Sequence, residues 1–290
     1  MNNLLIKSRE ALLRAAFGNA TLNGDFTGNL PTADLPSRLA NALKALKAAA
    51  IDERGAQVDY AALRQSAAFA DYQHLIGALP HFDPTRLGAR AEQLAFWINL
   101  YNCLVLHAVI AFAVRQSVAE RAFGLAFFRR AAYCVGGVRL CCDDIEHGIL
   151  RANAGHPFLI GAQFAADDRR FAWVLRPVEP RLHFALNCAS RSCPPIGAYD
   201  AGQLERQLTN AARFFIDQET ALSADGLRLS AIFKWYARDF GGQQGVRAFL
   251  LAHLPEGDLR YAYLQAHAQP KFSYAPYNWS LNGYASTAGS

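Results

Sequence analysis

The chain has 290 residues, of which 52% are apolar and 18% charged, with a formal net charge of +5. That balance excludes a disordered chain, which needs low hydrophobicity and high net charge, and the lack of any repeat or compositional bias excludes collagen-like, coiled-coil and low-complexity readings. The basic residues are scattered in short pairs such as Arg129–Arg130 and Arg169–Arg170, so the basic stripe of a nucleic-acid binder is missing, and six cysteines are too few for a disulfide scaffold.

The first ten residues lack the apolar core of a secretory signal, and apolar spacing predicts an amphipathic helix over about 4–17. Residues 1–57 read as an N-terminal helical segment, with turns at Asn23-Gly24 and Thr27-Gly28. A second helix is expected over 39–51, stopped near Gly55. Further helices start near Asp59 and near Phe69, and His81-Phe82-Asp83-Pro84 breaks the pattern.

A long apolar helix follows over about 88–115. Its core, 94–114, is long enough to cross a bilayer, but Asn99, Asn102 and His107 would be costly in hydrocarbon. We therefore expect a buried central helix and no membrane span. Asn99, Cys103 and His107 fall at four-residue steps, which puts them in one stripe. Either the stripe faces a pocket, or each polar group bonds a neighbouring loop.

After about residue 128 the texture changes. Tyr133-Cys134-Val135, Gly136-Gly137 and Val138-Arg139-Leu140-Cys141 read as a hairpin. Cys141 and Cys142 would face opposite sides of that strand, one packed and one partly exposed. Asp143 to Arg151 reads as a helix capped by an acid. Residues 152–180 look loop-rich, and Leu182 to Leu186 reads as a buried strand running into the polar loop Asn187-Cys188-Ala189-Ser190-Arg191-Ser192-Cys193-Pro194-Pro195. Helices are expected over 201–218, 232–240 and 244–253, strands at 227–229, 261–263 and 272–274, and a flexible tail over 284–290. The fold class is α+β, helix-rich, a single domain over 58–283 with a small sheet.

Chemistry concentrates at Cys188, which opens a loop at the end of an apolar run. A nucleophilic thiol needs a lowered pKa, which Arg191 or a nearby imidazole supplies. On a strand, His183 and Cys188 point to opposite faces, which leaves His147 as the better base. Glu146 is adjacent to it on a different side of the helix, so Asp239, Asn99 or Asn102 is expected to orient the ring. All six cysteines are expected by default to be reduced thiols of a cytoplasmic protein. A metal site of Glu146, His147, His183 and Cys188 matches no standard zinc spacing, and a Cys188–Cys193 redox pair rests on C-x₄-C spacing alone.

Five motifs occur in order: Phe96-Trp97-Ile98-Asn99-Leu100-Tyr101-Asn102; Asp143-Asp144-Ile145-Glu146-His147-Gly148-Ile149-Leu150-Arg151; His183 to Pro195; Ile232-Phe233-Lys234-Trp235-Tyr236 with Asp239-Phe240; and Trp279-Ser280-Leu281-Asn282. Over residues 58–283 they resemble the domain-of-unknown-function family number 547, whose activity is not established. Some relatives join the domain to glutaredoxin or DEP modules, which implies thiol or signalling roles by association. Asn99, Asn102, Glu146, His147, His183 and Cys188 fall on the family's motif positions. The resemblance favours Cys188 over Cys193 as the functional thiol, since plant relatives tend to have Ser at 193. This chain departs from the family at Cys103, and at Asn278, where relatives often carry Asp.

Two functions compete closely. In the first, Cys188 is the nucleophile of a hydrolase or acyl/amide transferase, with His147 as base and no organic cofactor. In the second, Trp97, Trp235, Tyr236 and the Tyr277-Asn278-Trp279 run build a core and a ligand- or peptide-binding pocket, with His183, Arg191 and Asp239 as binding residues. A metal-dependent enzyme is the third reading.

Overall fold

The computed structural model describes residues 2–26 and 31–284; the Thr27-Gly28 turn and the tail over 285–290 lie outside the described residues. The α-helices, in chain order, are α1 (Asn3–Phe17), α2 (Leu35–Ala50), α3 (Tyr60–Gln65), α4 (Ala67–Ile76), α5 (Arg90–Ala111), α6 (Leu125–Arg130), α7 (Leu204–Glu219), α8 (Ala231–Trp235), α9 (Gly242–His253) and α10 (Leu259–Ala266). The strands are β1 (Ala132–Val135), β2 (Val138–Cys141), β3 (Ala221–Ser223), β4 (Gly226–Leu229) and β5 (Phe272–Tyr274). They form a two-stranded antiparallel hairpin and a three-stranded sheet ordered β3-β4-β5, with β4 and β5 parallel. The fold is α+β and helix-rich, with two small sheets where the sequence suggested one.

Helix α5 is the central rod. Every residue from Leu94 to Val109 is buried, and 89% of its most apolar window is covered by protein, although the helix has a mean hydropathy of 1.7 there. Leu35, Leu39, Leu43 and Leu46 of α2 join the same core. A second apolar cluster gathers Phe184 with Phe215 and Ile216 of α7, Leu227 and Leu229 of β4, Phe233 of α8, and Val246 and Leu250 of α9. Leu182 and Leu186 belong to the first cluster and Phe184 to the second, so the segment around residue 184 is where the two meet.

The hairpin forms as expected. Val135 pairs with Val138, and Gly136 and Gly137 sit at φ +55° and +70°, the left-handed pair that a two-residue turn of this twist requires.

Several local expectations fail for identifiable reasons. Leu182 to Leu186 is no strand: Pro180 pre-sets φ and Glu179 accepts from the Arg181 N–H, so Pro180–Phe184 closes into a 3₁₀ turn. The Tyr261–Tyr263 alternation lies on α10, capped by Asp258, which accepts from the Arg260 N–H at 2.7 Å. Asp143 does not cap the segment after it; Asp144 instead accepts from the Cys141 N–H, and Asp144–Leu150 winds as a π-helix. Cys141 and Cys142 are both buried, at the junction where β2 passes through a helical step at 142–143 into the π-helix. Helix α2 stops at Ile51, four residues ahead of Gly55.

Candidate functional site

A small cavity of about 80 Å³ opens where the π-helix, the 180–184 turn, the Asn187–Pro194 loop, α8 and the C-terminal segment converge. Its lining includes Glu146, His147, His156, His183, Cys188, Cys193, Trp235, Tyr236, Tyr277 and Trp279.

The loop is braced from behind. Asn99 on α5 exchanges two hydrogen bonds with the backbone of Tyr199, at 2.7 and 2.9 Å. Asn102, one turn on, donates to the carbonyls of Ala185 and Gly197 and accepts from the Asn187 N–H at 2.9 Å. Asn187 in turn donates to the Pro194 carbonyl and accepts from the Ala189 N–H. Asn99 and Asn102 therefore hold the loop that carries Cys188 and touch neither the sulfur nor an imidazole. The rest of the stripe disperses: Cys103 is buried, and His107 bonds the Tyr133 hydroxyl at 2.8 Å.

Cys188 and Cys193 are joined by a disulfide, with Cα atoms 6.1 Å apart. This corrects the expectation of six reduced thiols. Around the two sulfurs lie the Cys188 N–H, 2.9 Å from Cys193 Sγ, and the hydroxyls of Ser190 and Tyr277. Among the described residues no imidazole nitrogen is a hydrogen-bond partner of either sulfur. Arg191 is exposed and does not line the cavity. Trp97 is buried against Phe96 and Trp173, away from the cavity. Trp235 does form a wall, stacked on Trp279 at 5.7 Å and tilted against Tyr277 at 4.9 Å.

The histidines divide by their second partners. His147 Nδ1 lies 3.0 Å from Arg151 Nη1. An arginine can only donate, so Nδ1 is the acceptor and the hydrogen of the neutral ring sits on Nε2, 3.8 Å from Asp143 Oδ1. Burial, then the nearby positive groups, drives the His147 pKa well below the usual imidazole value, which keeps the ring neutral. His183 has the opposite tautomer. Its Nε2 donates to Asp239 Oδ2 at 2.9 Å, leaving the lone pair on Nδ1, and its ring stacks on Tyr236 at 4.0 Å. Burial pulls His183 down to about 4 against the pull of Asp239. Asp239 itself is held at about 2, because the His183 and Arg151 bonds outweigh its desolvation. Asp239 thus orients His183 directly and reaches His147 only through Arg151. The strand argument against His183 lapses with the strand.

Glu146 accepts from the Tyr236 hydroxyl at 2.7 Å, and burial raises its pKa despite that bond and the charge of Arg151. Asp143 is anchored by Arg129 at 2.7 Å, which also binds Glu10 of α1 at 2.9 Å. Burial disfavours the Asp144 charge, but Arg170 and Arg129 hold its carboxyl below the usual range. Gly148 is required in this segment, since a Cβ there would lie inside the Phe164 ring.

Asp143, His147 and His156 bring three ligand-type atoms within 4.8 Å of one another. A metal-bound imidazole normally donates its other N–H outward. Here both outer nitrogens accept: His147 Nδ1 from Arg151, and His156 Nδ1 from the Phe158 N–H at 3.2 Å. The inner nitrogens carry the hydrogens, so this arrangement does not fit a metal ion. The quartet Glu146, His147, His183 and Cys188 lines the same cavity, but Glu146 is tied to Tyr236, His183 to Asp239, and Cys188 to Cys193.

Residues 84–216 match the model of a family described as a protein of unknown function, DUF547. That match spans a little under half of the chain and agrees with the resemblance read from the motifs. The first three motifs fall inside that match; the Trp235-Tyr236-Asp239 and Trp279 motifs lie beyond it, although Trp235, Tyr236 and Trp279 line the cavity. No curated protein and no solved structure matches the chain. Two groups at the site carry no sequence signal of their own: Arg151, which ends the second motif and fixes His147, and His156, which no motif marks. The Asp-to-Asn departure at 278 is accounted for: Asn278 Oδ1 accepts the Ser280 N–H at 3.0 Å, and one carbonyl oxygen is enough for that bond.

Proposed function

We propose that this protein carries out thiol–disulfide exchange through Cys188 and Cys193. The observation that carries the reading is that both members of the disulfide line a cavity shared with ionisable and aromatic side chains. A purely stabilising role is a poor fit. A bridge closing so short a loop restricts the unfolded chain by only ~2 kcal/mol, and Asn102 and Asn187 already hold the loop. In the reaction, a substrate thiolate attacks one sulfur and the other leaves as a thiolate. A second substrate thiolate then attacks the mixed disulfide and releases the dithiol. Two substrate thiols become a disulfide, and two electrons and two protons pass to the protein. In a reducing cytoplasm the pair would rest as a dithiol and run the exchange in the opposite direction.

The test is equilibration of the folded protein in glutathione redox buffers, with the Cys188–Cys193 state read by mass. Reversible exchange at millimolar glutathione, lost in Cys193→Ser, supports the reading. A bridge that opens only after denaturation overturns it.

One observation favours a second reading, acyl transfer. His183, oriented by Asp239 from behind, lines the same cavity as Cys188, and the reduced thiol would supply the nucleophile. In that case His183, and not His147, is the base. Reduced Cys193→Ser then retains a burst with p-nitrophenyl acetate, and His183→Gln removes it.

A further inference from the structure

Tyr277 lies outside the residues matched to the family and has been given no part in the chemistry above. Its hydroxyl is 3.3 Å from Cys188 Sγ and 3.2 Å from Cys193 Sγ, so it straddles the bridge. The Ser190 hydroxyl donates to it at 3.1 Å. With its lone pair occupied in this way, the phenolic hydrogen is free to turn to either sulfur, and accepting a hydrogen bond makes a hydroxyl a better donor. The ring packs against the stacked pair of Trp235, at 4.9 Å, and Trp279, at 4.6 Å, which fixes the oxygen without using it.

Exchange moves negative charge from one sulfur to the other. When a substrate thiolate attacks either cysteine, the S–S bond breaks and its electron pair leaves on the second sulfur. The leaving group is better the more its thiolate is stabilised, and a hydrogen bond to an ionised acceptor is about twice as strong as one between neutral groups. A donor beside one sulfur would favour attack in one direction only. A donor equidistant from both serves both halves of the cycle, and the oxygen need not move, since rotation of the O–H bond is enough.

We propose that Tyr277 is a catalytic residue of the exchange, donating its phenolic hydrogen bond to whichever of Cys188 and Cys193 is the departing thiolate, with Ser190 polarising it. This inference rests on the exchange reading. The tyrosine makes no net proton transfer: the proton that finally neutralises the thiolate comes from the substrate thiol. Burial keeps the phenol protonated by pushing its pKa up, so the donor persists across the working pH range.

The experiment compares wild type with Tyr277→Phe, which keeps the ring packed against the two tryptophans. In reduced protein, thiolate absorbance near 240 nm and the rate of iodoacetamide alkylation are followed against pH. Loss of the donor is expected to raise the apparent thiol pKa by about one unit and to slow exchange with glutathione near pH 7 by about tenfold. The matching Ser190→Ala change should shift the profile in the same direction by less. An unchanged pH profile in Tyr277→Phe, with exchange intact, overturns the role of Tyr277 and leaves the exchange reading standing. Absence of exchange in the wild type overturns the reading itself. Should Tyr277→Phe fail to fold, fluorotyrosine placed at 277 in otherwise wild-type protein gives the answer. Its ¹⁹F resonance must move with thiolate formation, and a resonance indifferent to it refutes the contact.

Discussion

Arg151 donates through Nη1 to Nδ1 of His147 across 3.0 Å, and that bond decides which nitrogen of the ring carries hydrogen. The same guanidinium binds both oxygens of Asp239 and donates to the Gly155 carbonyl. It is therefore held on three sides and cannot yield its place to a proton on Nδ1 without breaking a buried network. His147 is left with a hydrogen aimed at Asp143 and no free lone pair.

The first prediction concerns metals. Zn²⁺ or Co²⁺ at tens of micromolar should leave the melting temperature of the wild-type protein unchanged to within about 1 °C, because a site binding well below that concentration would raise it visibly. Co²⁺ should produce no ligand-field spectrum. A one-to-one Co²⁺ spectrum lost in His156→Ala would show that the ring polarity inverts on binding.

Acid sensitivity follows from the buried imidazoles. His183 and His107 are each depressed to about 4 from an ordinary 6.5, and burial is the leading cause for both. Between those values the unfolded chain binds protons that the folded one refuses, so stability rises with pH across this window and falls as pH drops from 6.5 towards 4. Each ring contributes up to about 3 kcal/mol to that loss. Urea denaturation at pH 7, 5.5 and 4.5 should show the decline, and His107→Gln should flatten it. A stability independent of pH over that interval would mean that the rings are charged in the folded state.

Removal of Asn102 should cost more than its size suggests. Asn102→Ala strands the buried Asn187 N–H and the Ala185 carbonyl, which Asn102 now pairs, at a cost of about 3 kcal/mol for the two groups. Asn102→Asp should be worse, since a carboxylate oxygen would then face the carbonyls of Ala185 and Gly197. Midpoints in urea report both, and a neutral Asn102→Asp would imply that the loop is held by other means.

After mild reduction, the thiols should sort themselves by reactivity. Cys103, Cys141 and Cys142 are buried, and desolvation raises their pKa values. Cys134 is half-buried and raised less. Alkylation of the folded, reduced protein at pH 7 should label Cys188 and Cys193 first, Cys134 more slowly, and the other three only on unfolding. Early labelling of Cys103 would place the core of α5 in contact with solvent.

The elements that could be read from sequence are those with strong local signals. Helix α5 declared itself by its length and apolar density, and the Gly136-Gly137 turn by its chemistry. The 180–186 segment misled because five apolar or aromatic positions look alike in a strand and in a buried turn, and only Pro180 and Glu179 tip the balance. At the site, motifs brought Cys188, His147, His183 and Tyr236 onto one cavity. What they could not convey is pairing. Asp239 belongs to His183 and Arg151, Tyr277 to the two sulfurs, and Asn102 to a backbone N–H; each partnership spans roughly 55 to 90 residues of chain. Tautomers are equally invisible in a sequence, because they depend on which donor reaches which nitrogen.

The cavity draws its walls from stretches of chain as far apart as Tyr101 and Trp279. The matched segment, ending at residue 216, contains both cysteines and the three histidines but not Trp235, Tyr236, Asp239, Tyr277 or Trp279. Grafted into another protein, that segment would carry its cysteine pair without those walls. Under the proposed exchange, a recombination that kept the cysteines and replaced the last 60 or so residues would therefore keep the disulfide and change which thiols reach it.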